Sequence, residues 1–190
     1  MSSQHKVFLS PEEYLAIERA AETRSEYFDG EMFAMVGASR EHNLIVINLS
    51  RELSQQLKGK PCEAYANDMR VRIPSTGLYT YPDVVVVCSE PIFEDEHVDT
   101  LLNPTLIVEV LSESTESYDR GKKFSNYRSV ESLSEYLLVA QDEYRIEQYL
   151  RQSDGTWLYS EAHSLTDHVQ LTSIQCALML KEVYDKVSLA

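Results

Sequence analysis

Apolar positions change period several times along this chain of 190 residues, and each period predicts an element. Ser10-Pro11-Glu12-Glu13 reads as a helix start, with a capping serine, proline at the first helical position and glutamate at the third, and the helix should run to about Glu22. Tyr27-Phe28-Asp29-Gly30-Glu31-Met32-Phe33 sets Asp-Gly between apolar segments, which predicts a tight hairpin. From about Ser39 to Lys58, Ile45, Leu49, Leu53 and Leu57 recur every four residues, and Gly59 then Pro61 close the run. That is the pattern of a long amphipathic helix. Met69, Val71 and Ile73 alternate with Arg70 and Arg72, predicting a strand with one buried and one basic face, and Pro74 to Gly77 forms the turn out of it.

Two short runs, Val84-Val85-Val86-Val87 and Leu106-Ile107-Val108, are apolar at every position. Their β-branched content suits strands buried on both faces at the centre of a sheet. An acidic loop, Ser89 to Asn103, separates them, and a helix from about Glu116 to Ser129 follows. Glu135 to Ala140, Tyr144 to Leu150 and Trp157 to Ala162 read as further strands, the last two joined across Asp154-Gly155. This order predicts a single α/β domain over residues 1–190, a mixed sheet with helices packed against it.

Composition changes this picture little. With 43% hydrophobic and 25% charged residues, the chain is ordinary for a globular domain. No stretch approaches the roughly 18 apolar residues of a membrane span, and Met1 to Ser10 lacks the basic start and apolar run of a signal peptide. A cytoplasmic protein without membrane contact is therefore expected. Cys62, Cys88 and Cys176 are odd in number, far apart and outside any CxxC spacing, so buried free thiols are expected. The formal charge of −14 argues against a nonspecific grip on a phosphate backbone. A local field around a site can still reverse that sign.

Candidate chemistry rests on two carboxylates. Asp83 opens one buried strand directly after Pro82, and Glu109 sits within the next, between Val108 and Val110. A carboxylate in such surroundings is costly to bury unless it is paired or bound to a cation. Two of them on neighbouring strands could share a hard, oxygen-seeking ion such as Mg²⁺ or Mn²⁺. The plainer alternative is that each caps a strand end or pairs with Arg70 or Arg72.

Tyr81-Pro82-Asp83-Val84, then Val108-Glu109-Val110-Leu111-Ser112 with Ser114-Thr115, then Asp119-Arg120-Gly121-Lys122-Lys123-Phe124 with Tyr127, closely resemble the Uma family of endonucleases of the PD-(D/E)XK superfamily. The likeness extends from about Tyr14 to Glu161, taking in Phe28-Asp29-Gly30-Glu31, His42 and Glu135-Tyr136-Leu137-Leu138-Val139. It implies a restriction-endonuclease-like fold and metal-dependent hydrolysis of nucleic acid, DNA before RNA. It also implies that Asp83 and Glu109 hold the metal, with the peptide carbonyl of Val110 as a further ligand. A homodimer is expected from the superfamily's habit of cutting two strands with two subunits.

One position departs from the superfamily pattern, which wants lysine two residues after the second acid, where this chain has Leu111. The resemblance implies that the lysine has moved to the following helix, where Asp119, Lys123 and Tyr127 fall at i, i+4 and i+8 on one face. Lys123 is the choice and Lys122, about 100° around the helix, the reserve. Spacing alone would make Asp119 and Lys123 an exposed pair. The enzyme reading instead expects Lys123 to turn toward the two acids, with Asp119 too distant or differently directed to hold it. By the same resemblance Glu31 could hold a metal-bound water and His42 could contact phosphate. The competing class is a noncatalytic interaction protein on the same scaffold, which the −14 charge favours.

Overall fold

The capping signal at Ser10 is realised in full: its hydroxyl accepts from the Glu13 amide, and the Glu13 carboxylate accepts from the Ser10 amide. In this computed structural model, which describes residues 8–189, helix α1 (Pro11–Ala20) follows from that cap. The Asp-Gly hairpin comes next, β1 (Ser25–Phe28) and β2 (Glu31–Ala34), with Asp29 and Gly30 both at positive φ. Helix α2 (Arg40–Leu57), capped by the Ser39 hydroxyl, ends before Gly59, which takes the left-handed conformation.

The middle of the chain supplies β3 (Glu63–Ala66), β4 (Arg70–Ile73), β5 (Leu78–Thr80), β6 (Val84–Val87), β7 (Thr100–Leu101) and β8 (Leu106–Leu111). A broken helical segment follows: α3 (Glu116–Tyr118), a π-helical turn over Asp119–Lys123, and α4 (Phe124–Tyr127). The chain then runs through β9 (Glu135–Ala140), β10 (Ile146–Arg151), β11 (Trp157–Ala162), β12 (His168–Leu171), β13 (Cys176–Met179) and α5 (Leu180–Val183).

These strands form two main sheets rather than the one expected. A six-stranded sheet runs β11-β10-β9-β8-β6-β3, a five-stranded sheet runs β2-β1-β5-β4-β7, and β12-β13 make a hairpin. The six-stranded sheet is mixed, since β8 and β9 are parallel while β6 and β8 are antiparallel. The all-apolar runs are explained by burial on both faces. Val84, Val86, Val108 and Val110 pack against Ile45, Leu49 and Leu53 of α2, together with Leu178 and Leu180. Val85, Val87, Ile107 and Leu111 meet Val71, Ile73 and Leu78 of the smaller sheet, along with Tyr127 and Tyr136. Beneath α1, Tyr14, Leu15, Tyr27 and Tyr79 make a third, smaller cluster.

Three expectations are corrected. The basic face of β4 is not a solvent face: Arg70 is buried against Asp99 and the Tyr14 and Tyr81 rings, and Arg72 pairs with Glu94. The acidic loop contains β7, which pairs in parallel with β4 and delivers Asp99 to Arg19 and Arg70. Cys62 and Cys88 are bonded to each other, leaving only Cys176 as the buried thiol expected. Their spacing of 26 residues matches no motif, but Glu63 faces Val87 in the β3–β6 ladder, so the cysteines just beyond that pair meet across the strands. Among the described residues, no helix is long and apolar enough to cross a membrane.

Candidate active site

The candidate centre lies between the two main sheets. Strand β8 alternates its side chains, so Glu109 shares a face with Ile107 and Leu111 and points into the core between the sheets. It is 3% exposed. Tyr127 donates to its Oε1 at 2.8 Å, and the ammonium of Lys123 lies 3.0 Å from the same oxygen.

Lys123 is itself buried and is shared among three acids. Besides Glu109 it meets Glu26 Oε1 at 3.2 Å and Asp119 Oδ1 at 3.5 Å, with the Tyr118 ring 5.9 Å from its nitrogen. Glu26 also accepts from the Thr80 hydroxyl, so a residue of the five-stranded sheet and one of the six-stranded sheet hold the same cation. Asp119 and Lys123 are the buried residues of the π-helical turn, and the Tyr136 hydroxyl donates to the Asp119 carbonyl at 3.2 Å.

Asp83 sits at the bend preceding β6, across from β8. Its Oδ2 accepts from the amide of Val110 at 2.7 Å, and its Oδ1 is 3.3 Å from Nε2 of His42 in the first turn of α2. The side chains of Asp83 and His42 keep partial access, at 18% and 15% exposed. Asp83 is therefore the more accessible of the two acids and Glu109 the sequestered one.

Burial is the main force on the protonation of this cluster. It pushes Glu109 up to about 8, and although the ammonium of Lys123 works against the rise, Asp119 and Asp83 add to it. Asp119 is raised for the same first reason, opposed by Lys123 and a hydrogen bond from Thr115. Burial alone would discharge Lys123, but Glu109, Tyr127, Glu26 and Asp119 together hold it firmly protonated. Around one fixed positive charge, Glu109 and Asp119 are both raised by burial and both opposed by the same ammonium.

Sequence reasoning brings Asp83, Glu109, Lys123 and Tyr127 to one place, and Lys122 is the exposed neighbour that does not enter. It misjudges Asp119, which is a buried partner of Lys123 rather than a distant group: the face that the i, i+4 spacing gives them is turned toward Glu109 and Glu26 instead of solvent. Glu31 opens β2 opposite Phe28, on the hairpin face that also carries Glu26, two pairs nearer the turn. Glu26 was missed, and the available signal was strand alternation: with Tyr27 committed to the core beneath α1, Glu26 must face the other way. His42 meets Asp83 directly. Among the described residues, no three His, Cys, Asp or Glu side chains are grouped to hold a metal ion by themselves.

Comparison with known proteins agrees with this architecture. A family model for Uma2, described as "Putative restriction endonuclease", matches residues 11–180. Two similar proteins of Synechocystis sp. are uncharacterized protein sll1609, 41% identical over 80% of this chain and 86% of that one, and uncharacterized protein slr1290, 39% identical over 93% and 91%. The crystal structure of "a putative nuclease belonging to DUF820" from Anabaena variabilis superimposes with a TM-score of 0.76 at 18% identity, over 93% of this chain and 98% of that one. That likeness shows the fold.

Proposed function

Because this chain belongs to the Uma2 family of restriction-endonuclease-like proteins, we propose that it hydrolyses phosphodiester bonds of nucleic acid at the centre formed by Asp83, Glu109 and Lys123. The observation that carries the proposal is the Lys123 ammonium held 3.0 Å from a fully buried carboxylate that also feels the charge of Asp83. Buried charge of this kind is costly, and a core of aliphatic residues would be easier to build.

The donor set fits Mg²⁺ or Mn²⁺. Asp83 and Glu109 offer hard oxygens from adjacent strands, with the Val110 carbonyl as a third. Two side-chain carboxylates do not make a cage, which accords with an ion that keeps several waters and takes oxygens from its substrate. When bound, such an ion polarises the scissile phosphate and acidifies a water. The chain's own residues do the rest. Val110 N–H and His42 orient Asp83; Tyr127 orients Glu109; Lys123 stabilises charge developing on the phosphate oxygens. Glu26 keeps Lys123 charged and placed, and Glu31, two pairs nearer the turn on the same hairpin face, is the carboxylate we assign to a metal-bound water. A homodimer would place two such centres in one assembly.

A cleavage assay on DNA and RNA, single- and double-stranded, with Mg²⁺ or Mn²⁺, tests the reading. Activity should appear only with metal and vanish in Asp83→Asn. Metal should also raise the melting temperature of the native chain and not of that variant. Neither cleavage nor a metal-dependent thermal shift at millimolar concentrations would leave the noncatalytic interaction protein as the better account.

A further inference from the structure

The hairpin that supplies Glu26 carries an apolar surface for which the catalytic reading has no use. Glu26 and Phe33 are directly opposed in the β1–β2 ladder, so their side chains leave the hairpin on the same face. Phe28 lies on that face too, because Tyr27, between them, turns to the core beneath α1. Phe33 is 50% exposed and Phe28 38%. The chain then continues through Ala34, Met35, Val36, Gly37 and Ala38, all exposed, before Ser39 caps α2 and His42 reaches Asp83. Six consecutive nonpolar residues thus run in solvent, flanked at one end by the partner strand of Glu26 and at the other by His42.

Exposure of this kind costs solubility and marks a binding surface. Its continuity with the centre at both ends points to the molecule that enters the centre. The residues of this face then set the kind of contact, because Phe28, Phe33, Met35 and Val36 carry no charge with which to neutralise a phosphate, and the chain as a whole is at −14. Aromatic and thioether side chains offer the alternative, since every base has a π-face and stacking on an aromatic ring is indifferent to phosphate charge. In a duplex those faces are hidden.

The geometry points to single-stranded nucleic acid, or a strand with unstacked bases, as the substrate, with its bases stacking on Phe33 and Phe28 beside Met35 and Val36. This rests on the nuclease reading above and narrows it. Bases laid on this face lie beside Glu26, the partner of Lys123, and on the segment that leads through Ser39 to His42 and Asp83. The weak ionic component also predicts a shallow dependence of affinity on salt.

Fluorescence anisotropy with the full chain in EDTA tests this, using a labelled oligothymidylate of about 12 nucleotides and a duplex of equal length. The single strand should bind more tightly. Phe33→Leu should weaken it about tenfold while Phe33→Trp preserves it, separating stacking from general hydrophobic contact. Equal or tighter duplex binding, or no effect of Phe33→Leu, overturns the inference. So does light scattering that shows Phe33→Leu splitting a dimer while oligothymidylate affinity per chain is unchanged, which would make the face a subunit contact. Metal-dependent duplex cleavage abolished by Asp83→Asn, beside a flat single-strand arm, would remove this inference and keep the nuclease. Absence of metal-dependent cleavage of every substrate would remove the nuclease reading as well.

Discussion

Replacing Glu109 by glutamine should stabilise the protein and abolish the proposed nuclease activity. Burial raises the Glu109 carboxyl from 4.5 to about 8, so the folded state prefers it neutral through the physiological range. A carboxyl raised on folding contributes its full stability below the unfolded value, and that contribution is lost as pH rises toward the folded value. Each pKa unit is worth about 1.4 kcal/mol, so the loss reaches about 3 kcal/mol at pH 7 and about 5 kcal/mol above pH 8. Glutamine copies the neutral form: its amide oxygen can accept from Tyr127 and face Lys123 as Oε1 does. The variant should therefore match the native protein near pH 4.5 and gain on it steadily up to pH 8. Urea unfolding at pH 5, 7 and 8.5, with metal chelated, measures the difference. A variant that is less stable at pH 7, or whose difference does not change with pH, would show that Glu109 stays ionised against Lys123 and that burial is not the dominant force.

Three further outcomes follow from the contacts described. Lys123→Met leaves Glu26, Glu109 and Asp119 facing one another without a cation, and should cost about 3–5 kcal/mol in urea unfolding, partly recovered in the double variant with Glu109→Gln. Hydrogen bonds first from Arg19 and then from Arg70 hold Asp99 well below the usual carboxylate range, so its contribution is present above its unfolded value and lost as pH falls through the folded one. Asp99→Asn should accordingly lower stability at pH 7 by roughly 3 kcal/mol, with the two denaturation curves converging in acid. Reducing the Cys62–Cys88 bond reopens a loop of 26 residues, and a thermal melt with and without dithiothreitol should register a loss of about 3 kcal/mol.

The sequence made some parts of this molecule legible for identifiable reasons. Helices α1 and α2 carry their own N-terminal caps and α2 its stop signal, the Asp29-Gly30 turn permits little else, and β6 and β8 are largely apolar on both faces because both faces are covered. Strands β3, β5 and β7 are two to four residues long and owe their existence to the neighbours they pair with, so no local period announces them. The same holds for the Cys62–Cys88 bond, which is a matter of strand register. Within the centre, Asp83 and Glu109 stood out as charges in apolar runs, whereas Glu26 lies in an ordinary polar stretch and acquires meaning only when β1 docks beside β5. The π-turn at Asp119–Lys123 makes buried contacts with Glu109 and Tyr136 that lie far off in the sequence, and the local spacing reads as a regular helix.

The position of Lys123 makes the proposed catalytic contact and the contact between the sheets one and the same. Its ammonium ties Glu26 on one sheet to Glu109 on the other, across a sequence distance of 83 residues between the two acids. Native-state hydrogen exchange should then find the amides of β1 and β8 opening in a single event, although their sheets have separate ladders. Any substrate that draws Lys123 away from Glu26 would loosen the hairpin at the moment of binding. Turnover would thus be felt as a transient softening of the hairpin.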